Sequence, residues 1–153
     1  MNNSTWGLIA FFVIGGGYFI WNAAQPGPAP RPTGGMTAED TSNIEAGEPL
    51  AVVKVPATLS ADAQIGKRAF EAKCARCHGA NAAGQNGVAP PLVHNIYRPA
   101  HHADAAFVLA AKNGVRSHHW KFGNMPRIEG LTDADVTYIA RYVRELQQEN
   151  GIK

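Results

Sequence analysis

Apolar and polar positions divide this chain into an uncharged N-terminal stretch, a polar middle section and a C-terminal part with helical periodicity. Residues 6–21 contain no charged side chain. With the small residues on either side, the stretch is about 20 residues long, enough to cross roughly 30 Å of hydrocarbon. Trp6 at one end and Trp21 at the other are typical of the aromatic belts at membrane surfaces. The pattern predicts a single transmembrane helix over residues 5–24.

A cleaved signal peptide is the alternative interpretation of this stretch. No Lys or Arg precedes it, and Asn22-Ala23-Ala24 matches the small-residue cleavage pattern poorly. We therefore interpret residues 5–24 as a retained anchor. Neither flank is basic, so the distribution of charges does not set its orientation.

Residues 25–56 are rich in Pro, Gly, Ala, Thr and acidic side chains and have no sustained apolar period. This composition predicts a flexible linker. Its root-mean-square reach is on the order of 30 Å, and its fully extended limit is about 90–100 Å. The remaining residues, 57–153, are predicted to form one globular domain.

Helical periodicity opens the globular domain. Ser60 is a suitable N-cap, and the pattern after it predicts a first helix that ends near Ala75. Within this helix Gly66, Phe70 and Cys74 follow one another at intervals of four residues and so share one face. The missing side chain at Gly66 suits a close crossing with another helix.

The end of the chain predicts a second long helix. Thr132 and Asp135 have the spacing of a capping box at its start. An apolar stripe then follows at helical spacing, made of Val136, Ile139, Ala140, Val143 and Leu146. Tyr138 and Tyr142 flank the stripe and are expected to meet Phe70. A shorter helix is predicted over residues 103–112, and no segment has a convincing strand pattern, so the fold class is all-α.

The distribution of charged residues adds little to the predicted domain organisation. From residue 54 onward the chain has 13 basic and 8 acidic residues, which makes the globular domain mildly basic. The basic residues are dispersed and form no arginine-rich run, so we expect no nucleic-acid partner.

The candidate chemistry lies at Cys74-Ala75-Arg76-Cys77-His78, because C-x-x-C-H is the attachment motif of a covalent c-type haem. On a helical turn, Cys74 and Cys77 share a face, and His78 follows directly. The alternatives are a zinc half-site, a thioredoxin-like redox pair and a structural disulfide. The chain has only two cysteines, and its flanks lack a βαβ pattern, which argues against a zinc ribbon and a redox dithiol. A buried haem would also supply apolar surface to a domain of about 100 residues.

From Ser60 to Leu146 the chain resembles class I c-type cytochromes, here with an N-terminal membrane anchor. The motifs that carry the resemblance are Gly66 to Phe70, Cys74 to Gly79, Ala89-Pro90-Pro91-Leu92, Gly123-Asn124-Met125-Pro126, and Tyr142 with Val143. The resemblance implies a small helical domain around one haem c. It also implies that the Pro90 carbonyl accepts a hydrogen bond from His78, which would orient the imidazole.

Met125 is the expected sixth ligand of the haem iron, opposite His78. It is the one methionine of the globular domain, since Met36 falls in the predicted linker, and the resemblance places the ligand here. A core methionine is the alternative. His/Met ligation raises the reduction potential and fills the sixth position, which favours electron transfer over catalysis.

Five further histidines are unusual for so small a domain: His94, His101, His102, His118 and His119. Most are expected on the surface or in loops. Two alternatives stay open, namely that His118 or His119 replaces Met125 as the iron ligand, and that the two His-His pairs bind copper. Adjacent histidines in a loop are a weak metal signal without a third ligand.

These observations predict a membrane-anchored monohaem carrier that transfers one electron at a time between redox protein partners and has no small-molecule substrate. Because haem c is attached on the periplasmic side, the haem domain is expected in the periplasm of a bacterium and the N-terminus in the cytoplasm. One alternative is a dedicated electron-delivering subunit of a reductase, oxidase or periplasmic dehydrogenase. Another is a haem sensor or peroxidase-like enzyme, which would need an open iron site.

Overall fold

A computed structural model describes residue 38 and residues 40–153 of the chain. It contains four α-helices, which are α1 (Ala61–Lys73), α2 (Ala75–His78), α3 (Asp104–Asn113) and α4 (Asp133–Glu149), together with 3₁₀ turns at Ala80–Ala82 and Asn95–Tyr97. The described residues form no strand and only two isolated antiparallel bridges. For this part of the chain, the all-α prediction is confirmed.

The predicted anchor over residues 5–24 lies outside the described residues, as do the first part of the predicted linker and Met36. Within the described part of the chain, no helix combines the length and the apolar character needed to cross a membrane.

Helices α1 and α4 cross at Gly66, as its lack of a side chain predicted. A Cβ atom built on Gly66 would lie 1.9 Å from the backbone oxygen of Tyr138. One turn further along α1, the ring of Phe70 meets the ring of Tyr142 with centroids 5.7 Å apart. Both aromatic side chains are fully buried. The crossing therefore positions the end of α1, where Cys74 follows.

Local signals define the ends of both long helices. The Ser60 hydroxyl accepts a hydrogen bond from the backbone N–H of Ala63 at the start of α1. Thr132 and Asp135 form the predicted capping box at the start of α4, with each side chain bonded to the other residue's backbone N–H. The predicted apolar stripe of α4 is buried along its whole length.

A buried arginine connects α4 to the segment before α3. Arg144 is 5% exposed, and its guanidinium donates to Asp104 Oδ1 at 2.7 Å, to the Tyr97 carbonyl at 2.6 Å, to Gln147 Oε1 at 2.6 Å and to the His102 carbonyl. Charge-assisted hydrogen bonds of this kind are about twice as strong as neutral ones. Arg144 thereby holds the 97–104 segment against α4.

Part of the predicted linker is attached to the helical domain. The N–H groups of Leu50 and Ala51 donate to the Ala83 carbonyl at 3.1 and 3.0 Å. The Asn150 side chain accepts from Lys54 N–H at 2.9 Å and donates to the Lys54 carbonyl at 2.8 Å. These contacts involve linker backbone, which is why its side-chain composition did not predict them.

Candidate functional site

The end of α1 places the two cysteines and His78 in one compact turn. The N–H of Cys74 closes α1 on Phe70, and the chain then turns into α2. The N–H groups of Cys77 and His78 both donate to the Cys74 carbonyl, at 3.0 and 2.9 Å. The predicted helix to Ala75 is therefore interrupted at Cys74, whose φ of −110° separates α1 from α2.

Gln85 holds this turn in place and was missed by the sequence analysis. A short helix leaves its last carbonyl groups without helical partners. The Gln85 amide donates to the carbonyls of Ala75, Arg76 and Cys77 at 3.4, 2.9 and 3.1 Å. No short-range pattern in the sequence links a glutamine to carbonyl groups 8 to 10 residues earlier.

Two glycines allow the chain to fold back beneath the motif. The Gly84 N–H donates to the His78 carbonyl at 2.7 Å. A Cβ atom on Gly79 would lie 2.6 Å from the Gly84 oxygen, and one on Gly84 would lie 2.5 Å from the Pro91 nitrogen. Both glycines also have positive φ, so larger residues would be excluded by contact and by conformation. The fold brings the Pro90-Pro91 segment next to His78.

His78 is buried, and its Nδ1 lies 2.9 Å from the carbonyl oxygen of Pro90, the pair that the resemblance implied. Because a carbonyl only accepts, Nδ1 carries the proton and donates, which leaves the Nε2 lone pair available. Burial lowers the pKa of His78 and the hydrogen bond to Pro90 opposes this shift. A neutral imidazole oriented through its other nitrogen is the usual form of a histidine that binds a metal.

The thiols of Cys74 and Cys77 are free and half-buried. Burial, with a smaller contribution from Cys77, raises the pKa of Cys74 to about 11. Reactive dithiols need a thiol pKa below the ordinary value, because the thiolate is the attacking species. The environment of Cys74 is therefore opposite to that of a redox-active pair.

Met125 belongs to a different segment, and the structure fixes its backbone. Its N–H donates to the Val115 carbonyl and its carbonyl accepts from the Val115 N–H, both at 2.9 Å. Gly114 lies against it so closely that a Cβ would come within 2.6 Å of the Met125 oxygen. Met125 itself is half-buried. The 115–125 segment is thus a loop closed at its base by Val115 and Met125.

The two His-His pairs meet one another. His101 lies against His119 with ring centroids 5.3 Å apart, and His102 lies 6.2 Å from His118. The alternative iron ligands His118 and His119 are therefore packed against the other pair.

Trp120 provides a test of whether the expected haem fits this chain. Its indole is 7% exposed, and its Nε1 has no hydrogen-bond partner with good geometry among the described residues. Burial raises the pKa of Tyr97 to about 12, and a contact with the Trp120 side chain opposes this shift. That contact leaves the buried indole N–H without a well-aligned acceptor, which is costly, and a haem offers carboxylate acceptors. The poorly satisfied indole, the two free thiols and the oriented His78 are compatible with this cofactor.

The described domain matches a known protein family. A family model described as "Cytochrome c" matches residues 63–147, which is more than half of the chain. The matched stretch begins in α1, ends in α4, and includes Cys74, Cys77, His78, Pro90 and Met125. Searches of curated proteins and of solved structures gave no match.

Proposed function

The chain belongs to the cytochrome c family and is an electron-transfer haem protein, and on this premise we propose that it is a membrane-anchored carrier on the periplasmic side of a bacterial membrane. Its C-x-x-C-H motif carries covalently attached haem c. In the proposal, Cys74 and Cys77 would hold the haem through two thioether bonds, and His78 and Met125 would bind its iron. When bound, the haem supplies an iron that alternates between the ferrous and ferric states.

The hydrogen bond between His78 and Pro90 carries the proposal. It commits Nδ1 to the protein at 2.9 Å, so Nε2 is the nitrogen that would remain to bind the iron. Because His78 is buried, the same contact also restricts rotation of the ring. A ligand that does not move is suited to electron transfer, in which no substrate bond is made or broken.

The position of Met125 supports a closed iron site. Met125 is held through both backbone hydrogen bonds to Val115, and Pro126 stiffens the chain after it. A thioether favours ferrous iron and, as a sixth ligand, leaves no coordination site for a substrate. We therefore favour a carrier over a sensor or peroxidase-like enzyme.

The membrane part of the proposal is supported by the sequence pattern of residues 5–24. A polar linker after such an anchor would let the haem domain reach partners at the membrane surface. A full-length protein should therefore fractionate with membranes, whereas a chain that begins near residue 37, exported by a foreign signal peptide, should be soluble with an unchanged absorption spectrum. Full-length protein in the soluble periplasmic fraction would contradict the anchor.

Haem attachment is tested by the cysteines. Replacing both Cys74 and Cys77 by alanine should remove the haem-stained band after denaturing electrophoresis, because no thioether bond can then form. A stained band of undiminished intensity in the double variant would contradict the attachment site.

Carbon monoxide binding distinguishes an electron carrier from an enzyme with an open iron site. The reduced full-length protein should bind carbon monoxide slowly or not at all, and the oxidised protein should show the weak long-wavelength sulfur-to-iron band. Met125→Ala should lose this band, bind carbon monoxide readily and have a lower potential. Met36→Ala is the matched control and should behave as the wild type.

Two results would count against the proposal. An unchanged spectrum in Met125→Ala would mean that another residue is the sixth ligand of the iron, with His118 and His119 as the candidates. Rapid carbon monoxide binding by the wild type would favour a sensor or an enzyme.

A further inference from the structure

Four histidine rings from two separate loops gather at one place: His101, His102, His118 and His119. The first pair lies just before α3, and the second pair lies in the loop closed by Val115 and Met125. The ring centroids of His118 and His119 are 4.3 Å apart, and those of His101 and His119 are 5.3 Å apart. A pair of neighbouring histidines offers only two metal ligands. The fold supplies a third ligand from the other pair.

We propose that three of them, His101, His102 and His119, bind one divalent transition-metal ion, for which Zn²⁺ has the best-fitting geometry. We call these residues the three-histidine cluster. One ring nitrogen from each lies within 4.8 Å of those of the other two. The Nε2 atoms of His101 and His119 are 3.4 Å apart. Two nitrogens bound tetrahedrally to zinc at about 2.0–2.1 Å would be about 3.3–3.4 Å apart.

The tautomer of His102 suits a metal ligand. Its Nδ1 lies 2.8 Å from the Ile96 carbonyl and donates to it, which leaves Nε2 with a lone pair. The Arg144 guanidinium donates to the carbonyl of His102, so the backbone is anchored as well. A ligating histidine whose other nitrogen is held by a carbonyl is the recurrent arrangement in metal sites.

The chemistry of the cluster selects the class of ion. All three donors are imidazoles and no carboxylate belongs to the group, which favours Zn²⁺ or Cu²⁺ over Mg²⁺ and Ca²⁺. Arg144 places a positive charge next to His102, to whose carbonyl it donates, and its ion pair with Asp104 at 2.7 Å offsets that charge. His101 is exposed, so an ion can enter from solvent and a water molecule can take a fourth position.

A bound ion would connect two loops that are far apart in sequence. One precedes α3, and the other is the 115–125 loop that contains His119. The metal site requires that His119 is not bound to the haem iron, so it rests on the proposed ligation by Met125, which the Met125→Ala spectrum tests separately.

The test is calorimetric titration of ZnSO₄ into full-length, haem-containing protein that carries no polyhistidine tag and was pretreated with a chelator. We expect one Zn²⁺ per chain. His101→Ala and His119→Ala should each weaken binding by about tenfold or more, because each removes a direct ligand. His118→Ala is the matched control, since His118 neighbours the cluster without belonging to it, and should change the affinity less than threefold. An unchanged haem absorption spectrum in each variant shows that it is folded.

Zinc X-ray absorption of the same samples gives a second readout. We expect nitrogen scatterers at about 2.0–2.1 Å with the outer-shell pattern of imidazole. Absence of binding, binding equal in the wild type and the His101→Ala and His119→Ala variants, or an oxygen-only shell would overturn the proposal. Loss of affinity in His118→Ala as large as in the cluster variants would overturn the ligand assignment.

Discussion

Replacing Gly66 by alanine tests whether the crossing of α1 and α4 is a backbone-to-backbone contact. The new Cβ would lie 1.9 Å from the Tyr138 oxygen, 2.4 Å from the Tyr138 carbonyl carbon and 2.9 Å from the Ile139 nitrogen. Ordinary van der Waals contact begins near 3.4 Å, so the two helices would have to separate by about 1.5 Å. All three atoms are backbone atoms of α4, which cannot rotate away as a side chain can.

The magnitude follows from two opposing effects. Alanine improves helix propensity by about 1 kcal/mol relative to glycine. Overpacking costs about 1–3 kcal/mol and sometimes more, and a clash with rigid backbone belongs at the upper end of that range. We expect a net loss of about 2 kcal/mol in the free energy of unfolding, or a fall in Tm of about 8–16 °C for a domain of this size.

Thermal and denaturant unfolding of the haem-containing protein measure this loss. Arg68→Ala is the matched control, because Arg68 is exposed on the same helix, and it should shift Tm only slightly. Adding Tyr138→Ala to Gly66→Ala should not restore stability, since the clash is with the backbone at position 138. A Gly66→Ala protein as stable as the wild type, or more stable, would refute the reasoning.

Three further predictions concern the contacts that hold the domain together. Arg144→Met should lower the unfolding free energy by about 3 kcal/mol, because it removes charged hydrogen bonds and the guanidinium donor of the His102 carbonyl. In denaturant unfolding, Arg141→Met, at an exposed position of the same helix, should cost little. Asn150→Ala should lower stability by about 1 kcal/mol and accelerate hydrogen exchange at the Lys54 amide, which donates to the Asn150 side chain; unchanged exchange would argue against that contact in solution. Hydrogen bonds from the side chain and backbone of Thr132 lower the pKa of Asp135 below 3.8, so the capping box should stabilise the protein fully above pH 3.8 and lose this contribution as the pH falls through the lowered folded-state pKa. Asp135→Asn retains an acceptor but cannot titrate, and it should flatten the dependence of unfolding free energy on pH in that range.

Contacts between residues close in sequence were predictable. The helix starts at Ser60 and Thr132, and the buried stripe of α4, depend on spacings of three or four residues, which an α-helix converts directly into contacts. Gly66 was predictable as a close crossing for a related reason, because it shares a face with Phe70. The C-x-x-C-H motif belongs to the same group, since its chemistry lies within five consecutive residues.

Contacts between distant residues were decided only by the tertiary structure. Gln85 binds carbonyls of the α2 turn, the Asn150 side chain bonds to the backbone of Lys54 across 96 positions, and Arg144 joins α4 to three residues of the 97–104 segment. Their partners are largely backbone groups, and every residue has a backbone, so composition and periodicity contain no signal for them.

The histidines show most clearly what the sequence determined and what only the tertiary structure decided. The sequence by itself determined that there are two His-His pairs. It did not indicate which residue would be a third metal ligand beside either pair. Only the path of the chain brings the 115–125 loop against the segment before α3, with His101 and His119 nitrogens 3.4 Å apart. The physical reason is that a metal site requires distances of a few ångströms between atoms, and distances across loops are determined by the packing of the helices that the loops connect.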